Sequence, residues 1–245
     1  MRGKSHGSIG LLAAIQTSLL FKLPISIASI AVATFFSLLP DLDQPNSVIS
    51  KIIVKNDISK YIYKIFIYLI NVFIFFVSIK INENFYMSAI ITFVVIIIVE
   101  SKITHLFLRR ILLSFMFMLL TLALHLVSAP IYFIGFSGLL AVFPWLKHRS
   151  LSHSVFAVIL IYFALKQIEL VSGFKCLAIY GSIGYASHIF LGDIFTKQGV
   201  PLFYPISEKK ISFGFLKVGS RFGNIAEYLF IACLLALVIA TFFWI

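Results

Sequence analysis

Negative charge is scarce in this chain: nine Asp and Glu stand against 20 Lys and Arg in 245 residues. Charged residues make up only 12% and apolar ones 61%, where soluble domains carry about a quarter charged. That balance excludes an ordinary water-soluble fold. Cysteine is nearly absent too. Cys176 and Cys233 both sit in apolar runs with no CxxC pair, so they read as packing residues and say little about redox compartment. The weak ten-residue alternation of a transmembrane β-barrel is missing. No basic run is interleaved with aromatics in a soluble segment, so the formal charge of +11 is not read as a nucleic-acid footprint. Repeats and low-complexity tracts are lacking, and nothing is left over for a second soluble domain.

What is present is a series of apolar runs longer than 15 residues with hardly a charge. In hydrocarbon every backbone N–H and C=O needs an internal partner, which a helix supplies within one segment. The fold class is therefore all-α: a polytopic helical membrane protein, residues 1–245 forming one membrane-embedded domain. The runs predict about nine membrane helices or half-helices, mostly hairpins, at 9–22, 25–39, 61–79, 85–99, 111–127, 131–146, 154–171, 175–192 and 225–245. The first two are short and are split at Lys22-Leu23-Pro24, because proline removes a helical hydrogen bond. The N-terminus is basic and then apolar. The apolar stretch outruns a signal-peptide core and meets no cleavage site, so it is expected to be retained.

Hairpin pairing puts the polar stretches 1–8, 40–60, 100–110, 147–153 and 193–224 on one side. With Lys64 that side holds 16 of the 20 basic residues, the other side only Lys22, Lys80, Lys166 and Lys175. Lysine and arginine accumulate on the cytoplasmic side of membrane proteins, so the N-terminus and these loops are expected to be cytoplasmic, against anionic lipid.

On the same side, four of the six histidines and four of the nine carboxylates stand out at helix ends. They are His6, Asp41, Asp43, His148, His153, His188, Asp193 and Glu227. The island Lys147-His148-Arg149-Ser150-Leu151-Ser152-His153-Ser154 separates two greasy runs. Any one of these residues reads equally as an interfacial side chain or, for Glu227, an acid favoured by a helix N-terminus. Together they read as a metal site, since carboxylates at membrane depth are expensive and usually functional. His105, Glu100 and His125 are left as structural. Imidazole and carboxylate without thiolate suit zinc first, with manganese or iron as alternatives. There are more ligands than one catalytic ion needs, which leaves room for two. A bound metal lowers the pKa of its water and supplies a nucleophile near neutral pH. Asp43 and His153 are the expected catalytic side chains beside the metal. Arg149 is expected to orient a phosphate, because guanidinium grips oxyanions bidentately.

These motifs resemble a known family. His6-Gly7, Leu39-Pro40-Asp41-Leu42-Asp43, the His148-Arg149-x-x-x-His153-Ser154 island and Ser187 to Leu202 (SHIFLGDIFTKQGVPL) occur in the order seen in the YdjM-like proteins. That family comprises LexA-regulated, inner-membrane, metal-dependent hydrolases of bacteria and archaea. The stretch from Ile211 to Glu227 resembles its Gly-then-Glu segment before the last helix. The resemblance implies a helical inner-membrane hydrolase with His6, Asp41, Asp43, His148, His153, His188 and Asp193 as ligands or catalytic residues, and Glu227 joining them. A similarity in ligand style to zinc-dependent phospholipases C favours a phosphoester in a lipid or lipid-linked substrate. The alternative is an ion- or proton-coupled transporter using the same cluster. Oligomeric state is left open.

Two features depart from the family pattern. His188 and Asp193 are five residues apart instead of four, and five residues turn an ideal helix about 140° past one revolution. Either a π-bulge intervenes or Asp193 lies beyond the helix. Two extra hairpins, 61–146, also separate the Asp pair from the island, serving either substrate selection or scaffolding.

Overall fold

The structure, a computed structural model, describes residues 1–244. Ten α-helices follow one another: α1 Gly3–Phe21, α2 Ile27–Leu38, α3 Val48–Ile53, α4 Asn56–Asn82, α5 Phe85–Lys102, α6 His105–Leu126, α7 Ile131–Val142, α8 Val155–Ser172, α9 Leu177–Ser187 and α10 Arg221–Trp244. The only β pairing among the described residues is two isolated bridges, Thr196 with Leu216 and Val200 with Ile211. Five helices, α4, α5, α6, α8 and α10, are long and apolar enough to cross a membrane. The protein is thus an all-α polytopic membrane protein.

Nine of the ten helices correspond to the expected segments, and α3 is an addition within the polar stretch after α2. The largest boundary differences are six residues each, at the starts of α1, Gly3 instead of residue 9, and α6, His105 instead of residue 111. His6 therefore lies inside the first helix and not ahead of it. A turn separates the first two helices: Lys22 adopts φ 51° and ends α1, and the Ser26 and Ser29 side chains form a capping box that opens α2.

The lipid-facing helices are built inside out. In α4 and α5 the buried side chains are Ser59, Ser78, Ser88 and Thr92 together with Ile67, while Phe73, Phe76, Tyr86 and Phe93 face outward. Lipid is as apolar as leucine, so small and hydroxyl side chains mediate close helix contact.

The inner scaffold is α1, α2, α8 and α9, with α10 packed on α1. At 12 and 11 residues, α2 and α9 extend only about 16–18 Å, too little to cross alone. They cross closely at Ala33. A Cβ at Gly184 would collide with the Ala33 backbone, and one at Gly10 would strike Ser37 beside it. α2 and α9 end at the same end of the bundle, and each is followed by a motif: Asp41 and Asp43 after α2, His188 and Asp193 after α9.

Candidate metal centre

Three local distortions aim the side chains. Pro40 lies in the first turn of a 3-10 helix, Leu39–Asp43, that continues α2. With three residues per turn, side chains two apart diverge by about 120°. Asp41 therefore points to one set of histidines and Asp43 to another. In the island, Arg149 takes a left-handed φ of 57°, a conformation that non-glycine residues keep mainly at functional sites. A second 3-10 turn, Leu151–His153, follows it. After α9 the chain widens into a π-helix, His188–Gly192, in which the Asp193 N–H donates to the His188 carbonyl. The i to i+5 bond brings residues five apart alongside each other, and His188 Nε2 lies 3.8 Å from Asp193 Oδ2. Both expectations for the five-residue spacing hold: a π segment intervenes, and Asp193 lies past the α-helix. Gly192 also makes room for His6, whose Nδ1 would sit 2.6 Å from a Cβ placed there. His6 stacks on His188 with ring centroids 3.7 Å apart.

At the centre four atoms alternate around a closed ring. His153 Nε2 lies 3.9 Å from Asp41 Oδ1, Asp41 Oδ1 lies 3.7 Å from His188 Nε2, His188 Nε2 lies 3.8 Å from Asp193 Oδ2, and Asp193 Oδ2 lies 3.5 Å from His153 Nε2. Tetrahedral zinc with ligands at about 2.0–2.2 Å has ligand-to-ligand edges of about 3.3–3.6 Å, and these four contacts are at or a few tenths of an ångström above that length.

Hydrogen bonding fixes which nitrogens face inward. His188 Nδ1 is 2.7 Å from the Ser37 carbonyl, which only accepts, so Nδ1 carries the proton. Ser152 Oγ donates to Asp43 Oδ2 at 2.7 Å. Its one proton being committed, it accepts from His153 Nδ1 at 3.0 Å. Asp43 Oδ1 takes the Nδ1 proton of His148 at 2.9 Å. All three histidines are left with an Nε2 lone pair. Those of His153 and His188 are buried and have no hydrogen-bond partner, a condition rare in native proteins and one that calls for an explanation. A carbonyl behind His188, a carboxylate behind His148 and a hydroxyl leading to Asp43 behind His153 make the usual outer layer of a metal site.

The electrostatics agree. Burial, reinforced by the charge of His188, holds the His153 imidazole well below its ordinary pKa, so its lone pair is free at neutral pH. Burial pushes Asp41 up. For Asp193 burial acts in the same direction, but the hydrogen bond with His6 and the charges of His188, His6 and the terminal amine outweigh it and hold the carboxyl well below the usual range.

Six of the eight expected ligands thus converge. His6, His188 and Asp193 form one group that would hold an ion, and Asp41, His148 and His153 form another. Asp193 stands between two surroundings: Oδ2 faces the ring, while Oδ1 lies 3.5 Å from His6 Nε2 and 3.0 Å from the Met1 amine. Asp43 is outside both groups, behind His148 and Ser152. Glu227 lies apart from both groups. Its carboxylate accepts from Ser5 Oγ at 2.6 Å, Arg2 Nε at 3.1 Å and the Arg2 backbone N–H, clasping the start of α1 to α10 and leaving it no part in the ring. Arg149 has a task that the sequence does not reveal. Nη2 pairs with Asp193 Oδ2 at 3.1 Å, and Nη1 donates to Thr196 Oγ1 and the Gly199 carbonyl at 2.9 and 2.8 Å. His105, Glu100 and His125 belong to neither group.

Ser152 and the Ser37 carbonyl went unmarked by sequence reasoning. Ser152 was within reach, being adjacent to a ligand histidine in the island; a backbone carbonyl from another helix leaves no signal. A family model described as YdjM inner membrane protein matches residues 1–245, the whole chain. No curated protein and no solved structure matches it.

Proposed function

The chain belongs to the YdjM inner membrane protein family, and from that premise we propose that it is a metal-dependent hydrolase acting on a phosphoester in a lipid or lipid-linked substrate. One observation carries the reading: two buried imidazole lone pairs without partners, His153 Nε2 and His188 Nε2, each lie 3.5–3.9 Å from the carboxylates of Asp41 and Asp193. His153, His188, Asp41 and Asp193 would hold the ion, zinc by the ligand set, with His6 and His148 beside it. When bound, a divalent ion polarises a phosphoryl oxygen and lowers the pKa of water.

The remaining chemistry belongs to the chain's own side chains. His148 is the solvent-reachable histidine, its side chain 29% exposed where His153 is fully buried. Its Nε2 is suited to take a proton, with Asp43 holding Nδ1–H and stabilising the imidazolium. His153 is better placed as a ligand than as the base. The basic bias of this end, 16 of 20 Lys and Arg, supports a cytoplasmic orientation facing anionic headgroups.

Elemental analysis of protein purified in detergent is expected to find zinc at one ion per chain or more, and chelation to abolish hydrolysis of a short-chain lipid phosphoester until zinc is restored. Saturation at about 100 times the dissociation constant adds about 2.7 kcal/mol, a rise in thermal midpoint of about 5–10 °C for a chain of this size. A purified protein that holds no metal and takes none up on dialysis would overturn the proposal. Ser152→Ala tests the outer layer. It removes the hydroxyl linking Asp43 to His153 and is expected to weaken zinc about 10–100-fold in a chelator competition, while the metal-free protein loses about 1–3 kcal/mol from the buried partners left unpaired.

A further inference from the structure

Beside the ring lies a small cavity of about 80 Å³, lined by Lys147, Arg149 and Ser150 of the island and by Tyr204, Glu208 and Lys210 of the loop after Asp193. Three cations face one carboxylate. One water needs about 10–15 Å³ of such space, so the cavity accommodates the few oxygen-sized groups of a phosphate and excludes an acyl chain. Lys147 and Lys210 are exposed at its rim, free to lean in on flexible stems. Arg149 is different. Its side chain is 6% exposed, and its Nε–H is buried with no hydrogen-bond partner. The Ser150 hydroxyl is turned away to the Lys147 carbonyl, so the cations are left to recognise what enters. Both Nη atoms of Arg149 are anchored on Asp193, Thr196 and Gly199, which fixes the guanidinium charge in place at the cavity wall.

We propose that this cavity is an oxyanion pocket that binds a phosphate group through Arg149, Lys147 and Lys210, one guanidinium away from the ring. It rests on the hydrolase reading for its purpose, and supplies the recognition that reading lacks: a phosphate-bearing headgroup, or the free phosphate released from it, seated beside the metal ligands. A guanidinium that touches both Asp193 and the anion ties the position of the substrate to the position of a ligand. Charge-assisted contacts of this kind are the strong ones.

Titration calorimetry of inorganic phosphate, and separately of dihexanoyl phosphatidic acid, into the full chain in detergent tests this with EDTA present, so that metal plays no part. The expected result is saturable binding, weakened about tenfold or more in Lys147→Ala/Lys210→Ala, while the zinc content of the same variant matches the parent. These lysines are exposed, so their loss leaves the fold intact. Phosphatidic acid that inorganic phosphate displaces identifies a headgroup pocket, and binding of inorganic phosphate alone identifies a product pocket; either supports the proposal. No binding of either probe, or binding indifferent to the double change, overturns it. The two readings fail separately: zinc uptake without phosphate binding removes the pocket only, and phosphate binding without zinc uptake removes the hydrolase only.

Discussion

Asp193→Asn is expected to abolish metal binding and hydrolysis together and to lower stability as well. No other side chain touches so much of the centre: its oxygens meet His6, His153, His188, Arg149 and the Met1 amine. Loss of an outer-layer partner weakens a metal about 10–100-fold, and a lost ligand that also carries the negative charge exceeds that, so zinc content after dialysis should fall to background. Stability falls for another reason. Arg149, 6% exposed, loses its counter-charge, and breaking a buried pair costs about 3–5 kcal/mol out of a total near 5–15 kcal/mol. The two effects separate in the double variant Asp193→Asn/Arg149→Gln. Removing the stranded charge should restore part of the thermal midpoint and none of the zinc. An Asp193→Asn protein that keeps stoichiometric zinc would remove the ring as a metal centre.

The gross architecture was legible because membrane solvation dictates it: apolar runs with prolines and polar turns between them delimit nine helices whatever packs against them. The site was legible to the level of which segments meet, since hairpin pairing and the lysine and arginine bias place five polar stretches at one end. What escaped was long-range or conformational. The start of α1 at Gly3 is held by Glu227, an acceptor more than 200 residues away that takes the Arg2 backbone N–H, Arg2 Nε and Ser5 Oγ, and no local propensity encodes it. The same clasp takes Glu227 out of the ligand set. The five-residue gap from His188 to Asp193 posed the problem without its answer, because π and α conformations share their residue preferences and only the hydrogen bond from Asp193 to His188 distinguishes them. Asp41 and Asp43 read as a matched pair; the three-residue period of their turn gives them different partners.

Arg109→Ala is expected to cost about 3–5 kcal/mol although Arg109 touches none of the proposed ligands. Sequence composition places it with the positive-inside residues, yet it is fully buried. No carboxylate answers it. Nη1 donates to the Pro45 carbonyl at 2.8 Å, and Nη2 to Ser59 Oγ at 2.8 Å and to Asn56 Oδ1. Pro45 directly follows the turn that carries Asp41 and Asp43, and Asn56 and Ser59 open α4. One guanidinium on α6 therefore staples the inserted hairpins, 61–146, to the loop that aims both aspartates, which favours scaffolding as a role for that insert. Hydrogen bonds to a charged group are worth about 1.5–3 kcal/mol each, and alanine forfeits three at once, leaving the buried Ser59 hydroxyl without its partner. Arg109→Lys keeps the charge but has no planar fork with which to reach carbonyl, amide and hydroxyl together, so it should recover only part of the loss. With the loop loosened, zinc affinity should fall about tenfold, since the ligands must be ordered as the ion binds, and excess zinc should raise the thermal midpoint by linkage. Measuring midpoints for both variants with and without zinc separates the staple from the ligands. An Arg109→Ala protein as stable as its parent would show that the loop holds its aspartates without it.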